Sequence, residues 1–265
     1  MAAGSAAGVS WMLPSAVAAA PPPAAQDPFA DLPPPGDPNF PRAVLRRVDD
    51  LYRGQKSHAR LSMAVHTAHY DRHLTLEAWS YGTEYALVRV LEPKKERGNA
   101  TLKAGRDLFT YLSRSGRTIK ITGGMMGASW MGSHLTNDDL VRENRLSEDF
   151  EIRNGGVRLY EGRRVYLFRL TAREDAAVVW GFIDVMVRED DLQPVAEIFY
   201  DEDARKVRTM FFTDIETLAG RRLPTVLSVH PTDHPEAYTR VEYLDLDFDP
   251  PIDPSFFTLS RLRTL

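Results

Sequence analysis

The chain has 265 residues and a formal net charge of −4, from 33 Lys and Arg against 37 Asp and Glu, so it lacks the one-sided basic balance that sequence-independent nucleic-acid binding needs. It contains no cysteine, which excludes disulfides, thiolate nucleophiles, cysteine-based zinc sites and an acylated lipobox cysteine within these residues. No apolar run approaches the ~20 residues of a membrane-spanning helix, and the length suits one β-rich domain with a sizeable core.

The first 25 residues are small and apolar, with an A-x-A cleavage pattern at Ala16-Val17-Ala18, and read as a secretory leader or low-complexity segment. No Lys or Arg precedes Arg42, so the basic n-region of a secretory signal is missing. Residues 26–41 are Pro-rich and read as a tether. Neither segment has the composition to build a core, which places the folded domain at 42–265. That domain opens with "PRAVLRRVDDLYRG", where Val44, Leu45, Val48, Leu51 and Tyr52 share one face of a 3.6-residue helix between Pro41 and Gly54.

From residue 58 the hydrophobic period changes to two. "RLSMAV" sets Leu61, Met63 and Val65 on one side, and "HLTLEAWSY" sets Leu74 and Leu76 on one side with Trp79 and Tyr81 on the other, which predicts a hairpin closed near Asp71. Further strand-like runs follow to residue 248, many separated by short polar turns, so consecutive strands pair antiparallel. About eleven strands require closure or strong curling, because an open flat sheet of that size leaves long edges. A curved, half-open antiparallel barrel is the expected result, and wide barrels enclose apolar ligand cavities.

One stretch departs from the alternation. From Ile121 through Leu135 there is no acid, Lys or Arg, although 26% of the chain is charged, and Met125, Met126, Trp130 and Met131 stand among glycines and serines. Unbranched, polarizable methionines adapt to varying apolar shapes, which suits a glycine-hinged flap over a lipid cavity. "LTNDDL" then reads as a helix start, with Thr136 or Asn137 as cap and Asp138 and Asp139 at the positive end of the dipole. Strand parity adds Leu61, Met63, Val65, Leu74, Leu76, Phe109 and Tyr111 as candidate cavity residues.

Catalytic and metal patterns are weak. His66, His69, His73 and Asp71 have metal-ligand chemistry but fall across the predicted hairpin turn. Prolines interrupt "HPTDHP", so His230 and His234 do not share a helical face. Asp245, Asp247 and Asp249 begin like a calcium loop, but Pro250 and Phe256 stand where Gly and Glu are needed; alternation with Leu244, Leu246 and Phe248 makes them the wet side of a strand. No nucleophile elbow or phosphate loop is present, and Ser129 and Ser133 lack an evident base. The reading is of a non-enzyme without cofactor or metal; activity resting on Asp138 or His134 is its weakest rival.

The segments "VDDLYRG", "EPKKERGNATLK", "MMGASWMGSHLTNDDLVRENRL", "DAAVVWG", "FYDEDARKVRTMFFTDIETLAGRRLPT" and "VEYLDLDFDPPIDPSFFTL" together resemble the LolA-like outer-membrane lipoprotein-sorting proteins of Gram-negative bacteria, over about residues 42–265. The resemblance implies a half-open β-barrel with helices plugging its mouth, an internal cavity for acyl chains, and a periplasmic location. The function expected on this basis is a carrier or chaperone for lipoprotein acyl chains or another lipid. The alternative is a non-enzymatic accessory subunit of an inner-membrane permease or exporter. The missing lipobox cysteine fits the soluble carrier type.

Overall fold

A computed structural model describes residues 28–140, 150–174 and 178–264. The expected leader at 1–25 lies outside these residues. The amphipathic register predicted after Pro41 forms helix α1 (Phe40–Arg53), which buries Phe40, Val44, Leu45 and Val48 and ends where Gly54, at φ 56°, donates its N–H to the Asp50 carbonyl. Each such fully buried large side chain contributes about 1.5–3 kcal/mol. What α1 buries them against is a single sheet.

Thirteen strands form that sheet: β1 (Lys56–His66), β2 (Asp71–Tyr81), β3 (Tyr85–Glu92), β4 (Ala100–Ala104), β5 (Asp107–Leu112), β6 (Arg117–Ile121), β7 (Phe150–Tyr160), β8 (Arg163–Ala172), β9 (Phe182–Arg188), β10 (Pro194–Tyr200), β11 (Lys206–Leu218), β12 (Arg221–Pro231) and β13 (Tyr238–Asp247). The count exceeds the expected eleven because the two strands of the first hairpin add to eleven later runs, each of which forms its own strand. The spatial order is β6-β5-β4-β3-β2-β1-β13-β12-β11-β10-β9-β8-β7, antiparallel throughout. Two meanders therefore meet at the β1–β13 seam, and the sheet stays open, with β6 and β7 as its edges.

Strand parity separates two packed faces. The inner face carries the main core, in which Met63, Val65, Leu74, Leu76 and Val90 from one meander join Tyr166, Phe168, Ile183, Met210 and Val229 from the other around α1. Contact between strands so far apart in the sheet order requires the sheet to curve toward this side. Phe40 sets the centre of the aromatic packing, with its ring edge-on to Tyr166 at 5.1 Å and to Phe168 at 6.1 Å. On the outer face, Trp79, Leu87 and Leu102 are covered by Phe256, Phe257 and Leu262 of the C-terminal segment, which ends in helix α2 (Leu259–Thr264).

Two local features depart from the sequence reading. Arg60 pairs with Asp245 and Leu61 with Tyr243, so Leu244 is the extra residue of a bulge and turns outward, half exposed, rather than alternating inward with Leu246. The Pro-rich segment expected as a free tether instead lies on the domain: Phe29 and Leu32 pack against the main core, Arg47 donates to the Ala30 carbonyl at 2.8 Å, and Asn154 of β7 donates to the Pro35 carbonyl at 3.0 Å. Two apolar side chains spaced among prolines suffice to dock on α1, because proline has little conformational freedom to lose.

Candidate functional site

Hydrogen bonds fix where the methionine-rich segment runs. The chain leaves the sheet at β6, one edge, and on leaving it runs over the inner face, from Trp130 beside Thr101 of β4 to Asp139 beside Arg208 of β11. Residues 122–140 do this as a strap of short 3-10 turns (Gly123–Met125, Trp130–Gly132 and Asp138–Leu140) with a single β-bridge between Ser129 and Thr136. The helix expected from "LTNDDL" appears over the described residues as the last of these turns; the rest of that run, 141–149, lies outside them.

The strap is tied down rather than free to swing. Trp130 is buried and donates its indole N–H to Thr101 Oγ1 of β4 at 3.0 Å. Arg72 of β2 donates to the Met131 carbonyl and also pairs with Glu96, while Tyr70 donates to the Gly132 carbonyl at 2.8 Å. Across the opening, the His134 N–H donates to Thr239 Oγ1 of β13 at 2.9 Å, and Arg208 of β11 donates to the His134 carbonyl at 2.8 Å and to Asp139 Oδ1 at 2.5 Å. The tight corner between these anchors uses left-handed backbone at Met131 (φ 49°) and Gly132 (φ 65°), and a Cβ at residue 132 would sit 3.1 Å from the Arg72 guanidinium. Glycine here permits close approach to Arg72 rather than hinge motion.

Polar groups within the strap serve its shape. Ser129 donates to the Ser133 carbonyl at 2.5 Å, and Ser133 donates to the Trp130 carbonyl at 2.7 Å. Asp139 Oδ2, in the last turn, reaches back to accept from both the N–H and the hydroxyl of Thr136, at 2.7 and 3.0 Å. Burial holds the His134 imidazole below the usual histidine range. Elsewhere, His66 bonds Asp71 across the first hairpin at 2.5 Å, and His73 pairs in register with Ala64. Among the described residues no group of three His, Asp or Glu side chains is placed to hold a metal ion.

Between the strap and the inner face of β3–β6 lies a pocket of about 380 Å³. Met125, Trp130 and Met131 roof it, and Val90, Leu112, Ile119 and Ile121 form much of its floor and mouth. Three of the large apolar residues that the domain exposes, Leu112, Ile119 and Met125 at 38%, 38% and 37%, all belong to this one rim.

The other sequence candidates lie elsewhere. Leu61, Met63, Val65, Leu74 and Leu76 face inward, but α1 and the strap pack directly on them, so they form core. Met126 packs on Leu108, Ile121 and Leu140. Phe109 and Tyr111 are placed on the outer face, opposite Leu102 and Ala100 in register and packed with the C-terminal aromatics, which corrects their assignment to the cavity. Both parities of "DLFTYL" are apolar, and only the partner strand decides which side faces inward. Arg72, Leu112, Ile119 and Ile121 had no sequence signal beyond ordinary strand alternation.

An open, curved antiparallel sheet whose inner face packs one long helix and a crossing strap defines a LolA-type half-barrel. A crystal structure of a putative outer membrane lipoprotein-sorting protein domain from Vibrio parahaemolyticus is similar at TM-score 0.74 and 16% identity, covering 86% of this chain and all of that one. A LolA superfamily protein from Nitrosomonas europaea matches at TM-score 0.70 and 19% identity (83% and 98% covered), and a DUF1329 family protein from Desulfovibrio piger at 0.74 and 21% (83% and 96%). A family model with the description "Uncharacterized protein" matches residues 82–264. No curated protein matches the chain. The chain belongs to the family of that model and has the LolA-like fold of these crystal structures.

Proposed function

We propose that this protein is a periplasmic carrier that holds the acyl chain of a lipoprotein, or of another lipid, between its strap and the β3–β6 wall. The observation that carries the reading is the rim: Leu112, Ile119 and Met125 stay exposed where a pocket of about 380 Å³ opens. That volume is within the ~300–1,000 Å³ of ordinary small-molecule sites. A ~16-carbon chain moved through water forgoes about 12 kcal/mol of burial at ~0.8 kcal/mol per CH₂, and a partly apolar groove offsets a share of this while leaving release feasible. The lipoprotein-sorting name of the similar Vibrio domain supports the same cargo class.

The test is direct. Purified protein offered a fluorescent fatty acid should bind it saturably, and solvent extraction with mass spectrometry should recover lipid from it. Repeated recovery of an empty protein that also ignores the offered fatty acid would sink the carrier reading.

The filled interior favours a second reading, because α1 and the strap occupy the space that a wide cavity would need. In it the protein is an accessory subunit of a membrane exporter and the exposed rim is a docking surface. Recovery of a permease with the protein, undiminished when the pocket is filled by Ala128→Trp, would favour this role.

A further inference from the structure

The pocket has a neighbour that a simple lipid site would not need. Its mouth is formed by β6, an edge strand with no partner on its outer side among the described residues. The opposite edge is managed: β7 carries a bulge between Asn154 and Val157, and Asn154 bonds the Pro-rich segment. β6 is short, at five residues, and its two faces differ. On the outer face, Lys120 pairs with Asp107 at 2.7 Å and Thr118 accepts from Arg263 at 3.1 Å. On the pocket face, alternation places Arg117, Ile119 and Ile121 in a row; the two isoleucines line the pocket, and Arg117 is exposed without an acidic partner among the described residues, as is Arg114 in the preceding turn.

We propose that β6 is the docking edge for an extended, acylated polypeptide, which adds to the sheet beside it. The inference rests on the reading that the pocket holds an acyl chain. Adjacent strands lie ~4.8 Å apart, and directly opposed side chains have Cβ atoms ~4.5–5.5 Å apart. A residue opposite Ile119 therefore stands at the pocket mouth, where an acyl group on its side chain enters. Two residues along the added strand, the side chain opposite Arg117 is matched by a carboxylate. Main-chain hydrogen bonds give this partner an affinity that a free fatty acid, with no backbone, does not share. The occupant is thus an acylated peptide with an acidic residue two positions from the acylated one, and the site selects lipoproteins over loose lipid.

Competition against a bound fluorescent fatty acid tests this on the full chain, with three probes: palmitate, a palmitoylated ten-residue peptide carrying Glu two positions from the acylated residue, and the same peptide with Lys there. The Glu peptide should displace the probe at concentrations about tenfold lower than palmitate, and Arg117→Glu should transfer that advantage to the Lys peptide. Hydrogen exchange should slow at β6 amides with the peptide and not with palmitate. Equal potency of palmitate and both peptides, with unprotected β6 amides, overturns the docking edge and leaves the pocket reading intact. Failure of all three probes, with the fatty acid itself unbound, overturns both.

Discussion

Arg208 Nη2 lies 2.5 Å from Asp139 Oδ1, and both side chains are almost wholly buried. The contact joins β11 on one wall of the half-barrel to the end of the strap that starts from the other. The guanidinium is stacked between Phe199, 4.1 Å from its centre, and Trp180 at 4.5 Å, so the charge sits among aromatic faces rather than in water. A pair this buried is not in itself a strong source of stability, but breaking it leaves a charge without its counter-ion. Its effect is to fix where the strap ends.

Asp139→Ala should therefore cost about 3–5 kcal/mol, read by urea denaturation, whereas Asp139→Leu combined with Arg208→Met should recover most of that loss. A single variant no less stable than the parent would show that the ion pair does not hold the strap.

The pocket assignment makes a face-specific prediction. Ile119→Glu, at an exposed edge position, should change stability by less than about 0.5 kcal/mol yet weaken fatty-acid binding at least about tenfold. Phe109→Ser, on the opposite face of β5 from the pocket, should lower stability and leave affinity unchanged. The reverse pattern would mean that the ligand occupies the outer face.

Acid sensitivity follows from burial of His134 and His230, which holds both imidazoles below the usual value of 6.5. Between that value and the lower folded ones the unfolded chain binds more protons, so the stability these histidines contribute is full above pH 6.5, falls as pH drops through it, and levels off below the folded pKa values. Equilibrium unfolding from pH 8 to 5 should show this slope, and His134→Asn with His230→Asn should flatten it. Carboxylates act in a separate window: Asp190, held at about 2 by Arg188, contributes above 3.8 and loses its contribution toward pH 2.

Lys103 acts in the same direction at higher pH. Buried on the inner face near Arg53, its ammonium is pushed down to about 7 from 10.5 by desolvation first and Arg53 second. Between these values the unfolded chain carries more protons, so stability should rise with pH from 7 toward 9.5, and Lys103→Met should remove the rise. Above pH 10 the trend should turn, since burial raises the phenols of Tyr52 and Tyr243 and the unfolded tyrosines ionise first.

The residues that a sequence determines here are those whose pattern is local. The 3.6-residue repeat of Val44, Leu45 and Val48 and the alternation of Leu61, Met63 and Val65 each name an element and its buried side, because a helix or strand repeats its own geometry. The charge-free run at 121–135 likewise marks a segment that is not ordinary surface. The same logic misplaced Phe109 and Tyr111, and it missed the outward turn of Leu244, since each depends on a neighbouring strand's register. It also described the run at 123–135 as a hinged flap.

Only the tertiary structure decided that this run is a strap, because it is bonded to Thr101 on one wall of the curved sheet and leads to Asp139, paired with Arg208 on the other. The partners that hold it, Thr101, Arg208 and Thr239, lie 29 to 105 residues from the atoms they bond, beyond any local pattern. The sequence alone set a curved β-sheet with one amphipathic helix and a greasy, charge-free segment. Curvature then filled the interior with α1 and left the apolar opening at the rim of β5 and β6, where Ile119 and Met125 meet water.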